Sequence, residues 1–157
     1  MIFPDLPLDE EQPEHIQFFF EDVHFPFLYP ELISKWISST IEEEHKLLKS
    51  IDYIFCKDDY LLKVNVEYLN HDTLTDIITF QYHEEGLPVE GEIYISIDRV
   101  AENATKFKTT FDHELSRVII HGALHLAGYK DKSKADKAIM TAKEDYYLAQ
   151  LAMQITL

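Results

Sequence analysis

Apolar positions along the 157-residue chain follow two periods, and each change of period marks an element. The aromatic run within residues 17–23 predicts a first strand. Leu32, Ile33, Trp36, Ile37 and Ile41 then recur at three- and four-residue intervals, predicting an amphipathic helix with Pro30 in its first turn. Residues 51–56 alternate as a second strand. Asp58 is placed to cap a second helix whose inward side would be Leu61, Leu62, Val66 and Leu69. Residues 70–75 are turn-like and lead into a β-branched strand at 76–80. A polar loop over 81–90 precedes a fourth strand at 91–97, and a helix is expected from about 98 to 108.

The most apolar helical stretch follows. Thr109 or Thr110 can cap it, and Asp112 and Glu114 in its first turn suit the helix dipole. Ser133 and Asp136 resemble a capping box opening a last helix, whose buried side is expected to be Ile139, Ala142, Tyr146, Ala149 and Met153. Strands and helices alternate too irregularly for a doubly wound sheet. The pattern predicts an α+β fold in a single domain over residues 1–157: a small mixed four-stranded sheet packed against a buried central helix, with helices around it.

Composition narrows the class. A hydrophobic share of 46% and an aromatic share of 13% indicate a packed core rather than disorder. The single cysteine, Cys56, excludes an intramolecular disulfide and a cysteine-based zinc site, and it fits a reducing cytosol. The acidic, proline-containing lead does not read as a signal peptide, and no apolar run reaches membrane-spanning length, so a cytoplasmic chain with no membrane partner is expected. A net charge of −15 weighs against phosphate binding, yet residues 98–143 carry 9 basic against 6 acidic side chains. Lys130, Lys132, Lys134 and Lys137 in that segment are either RNA-facing cations or a solvated helix start.

The chemistry concentrates at residues 121–131. Four residues advance a helix by about 400°, so His121 and His125 share a face one turn apart, as two ligands of one zinc ion would. Gly128 suits a turn at the helix end, and Asp131 is placed to add a third ligand. The spacing is close to the metzincin arrangement and predicts a zincin-like site with an open fourth position. Metal-dependent proteases carry Glu after the first His as general base; here Gly122 stands there. Asp131 has an alternative reading as a cap of the last helix. Its carboxylate, in place of a third imidazole, would make the site tolerant of harder ions such as Mn²⁺. Arg117, one turn before His121, either clamps a phosphate or pairs with a carboxylate.

Residues 121–129, His-Gly-x-Leu-His-Leu-x-Gly-Tyr, resemble the signature of the YbeY family, bacterial metal-dependent endoribonucleases of ribosomal RNA maturation. The resemblance extends through Tyr68, residues 75–80 and residues 91–95, and on to Met140 and Glu144. The family signature continues Asp-His, with that His as third ligand; this chain reads Lys130-Asp131, which makes Asp131 the third ligand by position. The resemblance implies the same α+β architecture and one Zn²⁺ per chain on His121, His125 and Asp131, with Mn²⁺ or another divalent ion as alternatives. It also implies catalysis by His121 and His125, to which the position of Arg117 adds a third candidate. The implied substrate is single-stranded ribosomal RNA at the 3′ end of the small-subunit species, not DNA, with the small ribosomal subunit as partner and a role in ribosome quality control. Thr75, Asp76 and Thr79 match a segment that borders the cleft in the family, and they also suit a turn-to-strand junction, the structural reading being the favoured one. The Arg that usually follows the position of Tyr68 is Leu69 here. Two other readings remain: a ribosome-assembly or RNA-binding factor with a structural metal and little catalysis, and a metal-dependent peptide or amide hydrolase, against which Gly122 counts.

Overall fold

The computed structural model describes residues 15–71 and 73–155; the acidic lead and Asp72 of the predicted turn lie outside them. Strands β1 (Ile16–Phe20), β2 (Leu48–Cys56), β3 (Ile77–Gln81) and β4 (Val89–Ser96) form one sheet in the order β1-β2-β4-β3. The first three neighbours run parallel, and β3 runs antiparallel to β4. Helices α1 (Pro30–Glu43), α2 (Asp58–Leu69), α3 (Ile97–Lys106), α4 (Phe111–Leu126) and α5 (Lys134–Ile155) complete the described elements. The α+β class and the mixed four-stranded sheet are as expected. Strand β2 begins three residues before its alternating stretch, because Leu48 pairs with Val89 across a register shift.

Period-2 alternation sends successive side chains to opposite faces. On one face Ile51, Tyr53 and Phe55 stand beside Gly91, Ile93 and Ile95, all buried, and α4 packs over them with Val118, Ile119 and Ala123. The Tyr53 hydroxyl donates to the Ile119 carbonyl at 2.9 Å, a polar pin between sheet and helix. Gly122 sets how close they come: a Cβ there would stand 2.8 Å from Ile93 Cδ1 and 3.0 Å from Ile77 Cδ1. The position at which metal-dependent proteases keep their Glu therefore abuts the sheet here, where a side chain would have to displace Ile93 and Ile77.

The other face is covered by α2 through Leu61 and Val64, clustered with Cys56 and Ile78. The expected inward side of this helix needs correction. Leu61, Val64 and Asn65 are buried, Leu62 is half-buried, and Val66 and Leu69 are exposed, because only the first two turns lie on the sheet. Asp58 is the first helical residue rather than the cap. Its carboxylate accepts from the Ser96 hydroxyl at 2.7 Å and from Arg99 Nε at 3.1 Å, tying the start of α2 to the β4–α3 junction.

The last helix also differs from expectation. Ile139, Ala142, Tyr146, Ala149 and Met153 are exposed, and the buried side is Met140, Glu144, Tyr147, Leu148 and Leu151. The helix is rotated by one residue, about 100°, from its predicted seat. Apolar residues occupy two adjacent stripes of α5, and the stripe containing a carboxylate is the buried one. Glu144 tolerates burial because Arg117 and His121 meet it there. The Trp36 indole N–H, donating to the Tyr147 carbonyl at 2.8 Å, seats the helix against α1.

Candidate metal centre

Helix α4 is capped by Thr110, whose side-chain oxygen accepts the His113 N–H at 3.1 Å. Its sixteen residues carry His121 and His125 to the C-terminal end, with ring centroids 4.8 Å apart. There the helix closes in a Schellman turn: Tyr129 N–H donates to Leu124 O and Gly128 N–H to His125 O, each at 3.0 Å. Gly128 takes φ 113°, open to glycine and strained for other residues. That turn brings Asp131 back over the pair. Asp131 Oδ2 lies 3.2 Å from His121 Nε2 and 3.3 Å from His125 Nε2.

These three side chains could hold a metal ion, since one ligand atom from each lies within 4.8 Å of the others. On a tetrahedral ion with bonds of about 2.0–2.1 Å, neighbouring ligand atoms sit about 3.3 Å apart. The two nitrogen–oxygen separations match that spacing. Glu144 Oε2, 2.6 Å from His121 Nδ1, accepts the proton at that nitrogen and leaves the Nε2 lone pair facing Asp131. The donor set therefore fits a divalent cation that binds both nitrogen and oxygen.

Charge supports the geometry. Burial works against a charged His121, but Glu144, with Asp131 and Asp76, outweighs it and holds the pKa above its usual value. Burial likewise opposes the Asp131 carboxylate, and His125 and His121 overcome it, placing its pKa below the usual range. Asp76 behaves oppositely: burial pushes its pKa up, and Glu144 and Asp131 add to this against the pull of its own backbone N–H and His121. Glu114 is raised by burial, reinforced by Asp76 and Glu144 and opposed by Arg117.

The centre lies in a cleft of about 620 Å³ between β3 and α4. Of the two roles open to Arg117, the structure displays the ion pair: Nη1 donates to Glu144 at 2.8 Å and Nη2 to Asp145 at 2.7 Å. Asp131 does not cap α5; the Ser133 hydroxyl accepts the Asp136 N–H at 3.0 Å in that role. Thr75, Asp76 and Thr79 line the cleft, as does Leu69, so the family's arginine position faces the site with an apolar side chain. Lys130, Lys132, Lys134 and Lys137 are exposed. Sequence reasoning gave Glu144 and Glu114 no role in the site and took Asp76 no further than the border of the cleft. The signal for Glu144 was available, as a carboxylate set among the apolar positions Met140, Tyr147 and Leu151.

Comparison with known proteins agrees with the geometry. The family described as Endoribonuclease YbeY matches residues 17–152. A curated relative from Flavobacterium psychrophilum, Endoribonuclease YbeY, is 58% identical over 110 residues, covering 70% of this chain and 78% of that one. Another of that name, from Amoebophilus asiaticus, is 46% identical over 134 residues, covering 85% and 91%. Among solved structures, the solution structure of TM1509 from Thermotoga maritima superposes with a TM-score of 0.64 at 27% identity, covering 90% of this chain and 91% of that one.

Proposed function

The chain belongs to the YbeY endoribonuclease family, and on that premise we propose a metal-dependent endoribonuclease of ribosomal RNA maturation that holds its ion on His121, His125 and Asp131. It is an RNA-cleaving hydrolase. The observation that carries the metal reading is the convergence of two imidazole Nε2 atoms on one oxygen of Asp131, at 3.2 and 3.3 Å. The ion is Zn²⁺, one per chain, in a zincin-like site, with the carboxylate ligand leaving room for Mn²⁺. When bound, it supplies Lewis acidity at the phosphodiester.

The protein's own groups do the positioning. Glu144 fixes the tautomer and ring orientation of His121. Arg117 compensates the buried charge of Glu144, so it acts through that residue rather than as a free phosphate clamp. Asp76 and Glu114, whose pKa values burial raises, are the cleft carboxylates most disposed to hold a proton. The cleft volume, about 620 Å³, suits an unstacked strand. By its family resemblance the substrate is single-stranded RNA at the 3′ end of the small-subunit species, cleaved in the cytoplasm on or near the small subunit, with a quality-control role. The whole chain acts as one domain. Among the described residues, no helix is long and apolar enough to cross a membrane.

Purified wild type and His125→Ala, each with and without chelator, are compared on a small-subunit RNA precursor carrying a 3′ extension. Cleavage by the untreated wild type alone is the expected result. Equal cleavage in the variant would overturn the reading in favour of a ribosome-assembly factor with a structural metal. A peptide panel should show no hydrolysis, because Gly122 stands where metal-dependent proteases keep their general base.

A further inference from the structure

The metal cleft is poor in usable positive charge. Four carboxylates line it, Asp76, Glu114, Asp131 and Glu144, and both terminal nitrogens of its Arg117 already meet carboxylates. An RNA strand held there needs cations elsewhere along its path. A second groove, of about 410 Å³, adjoins the first and shares His125 and Gln81 with it. Lys46, Lys130 and His83 line this groove, with Glu85 as its carboxylate. Neither lysine forms an ion pair within 4.0 Å of a carboxylate among the described residues.

The two lysines are brought together by the fold. Lys46 sits in the turn after α1, where its N–H donates to Ile41 O at 3.1 Å. Lys130 follows Tyr129, whose hydroxyl donates to Glu44 at 2.6 Å. That one hydrogen bond joins the segments carrying both cations. On the facing loop, His83 Nδ1 is held by the Glu90 backbone, 3.0 Å from its nitrogen and 3.1 Å from its carbonyl oxygen, so Nε2 is the ring nitrogen outside that contact.

We propose that this groove is an RNA subsite, in which Lys46 and Lys130 bind phosphates of the nucleotides adjoining the scissile one and His83 contacts the strand through Nε2. It supplies the charge that Leu69 and the acidic cleft do not. The proposal rests on the endoribonuclease reading and adds the path that the strand follows past His125.

The test is the salt dependence of binding. A fluorescent single-stranded oligoribonucleotide with the small-subunit 3′-extension sequence is titrated with full-length wild type, Lys46→Ala, Lys130→Ala and the double variant. Lys106→Ala and Lys108→Ala, at the end of α3 and just beyond it, serve as controls. Each groove lysine should reduce the slope of log K against log salt by about 0.7, and the double variant by about 1.4, with controls unchanged. In cleavage assays KM should rise while kcat stays close to wild type. Lys46→Glu with Lys130→Glu provides a stronger form of the same change, and thermal unfolding checks that each variant is folded. If wild type cleaves RNA and the groove variants keep its slope, the subsite is wrong and the endoribonuclease reading stands. If folded wild type neither binds nor cleaves RNA, the reading fails and the subsite with it.

Discussion

Lys143 and Glu144 are neighbours on α5, yet they anchor the helix to two networks of different kind. Lys143 joins Tyr129 and Tyr147 on Glu44, at the end of α1: Tyr129 donates at 2.6 Å, Lys143 at 3.0 Å, and Tyr147 also donates. Glu144 meets Arg117 at 2.8 Å and His121 at 2.6 Å. The two carboxylates are buried alike, their side chains 9% and 8% exposed. What separates them is the other commitment of each donor. The partners of Glu44 end in packing and in the turn after α4, whereas His121 presents its second nitrogen to Asp131. Equal burial therefore carries unequal roles: one carboxylate holds the architecture, and the other orients a histidine of the candidate metal centre.

The largest expected effect breaks the second network. Glu144→Ala removes one partner from Arg117 and the acceptor from His121 Nδ1. A stability loss of about 3–5 kcal/mol is expected from breaking a buried pair on one side. Metal affinity in the fraction that folds should fall about 10- to 100-fold. Denaturant unfolding and chelator competition measure the two separately. The comparison breaks if Glu44→Ala lowers metal affinity as much as Glu144→Ala does.

Glu44→Gln comes next. Hydrogen bonds to a charged group contribute about 1.5–3 kcal/mol, and a stability loss of that size is expected with a smaller change in metal affinity than for Glu144→Ala. The pH dependence sharpens this. Burial pushes the Glu44 pKa up, but Tyr129, Tyr147 and Lys143 outweigh it, and the net value lies below the ordinary 4.5. A carboxylate depressed in the folded state contributes stability that is complete above its unfolded pKa and lost as pH falls through the folded value. The difference in unfolding temperature between wild type and Glu44→Gln should hold steady near neutrality and narrow below about pH 4.5. A difference independent of pH down to acid denaturation would show that Glu44 acts by shape alone.

These two networks also explain what was readable in the chain. The His121–His125 pair, the Gly128 turn and Asp131 were legible because their relation is local: helical periodicity and one left-handed residue fix it. The sheet strands were legible for the same reason, through alternation and β-branched content. The seating of α5 was not, because Glu144 belongs inside only when Arg117 and His121, 27 and 23 residues earlier, come to meet it. Arg117 was ambiguous for the same cause, its role being set by a partner on another helix. Asp58 was misjudged as a cap because Ser96 and Arg99, which claim its carboxylate, lie 38 and 41 residues away.

The smallest expected effect tests the seat of α5 itself. Ile139 is 51% exposed and Met140 is 2% exposed. Ile139→Lys should change stability by less than about 0.5 kcal/mol, as at an open surface position. Met140→Ala, by contrast, should destabilise by about 2–5 kcal/mol through the cavity it leaves. Thermal or denaturant unfolding of the two variants is sufficient. A reversal, with Ile139→Lys the more damaging, would return α5 to the stripe that periodicity alone suggests. Glu144 would then be turned by about 100° from its present direction. His121 would lose its orienting acceptor, and Arg117 would be released to meet a phosphate directly. A near-silent lysine at 139 is thus the evidence that the buried stripe of α5 is the one that brings Glu144 to His121.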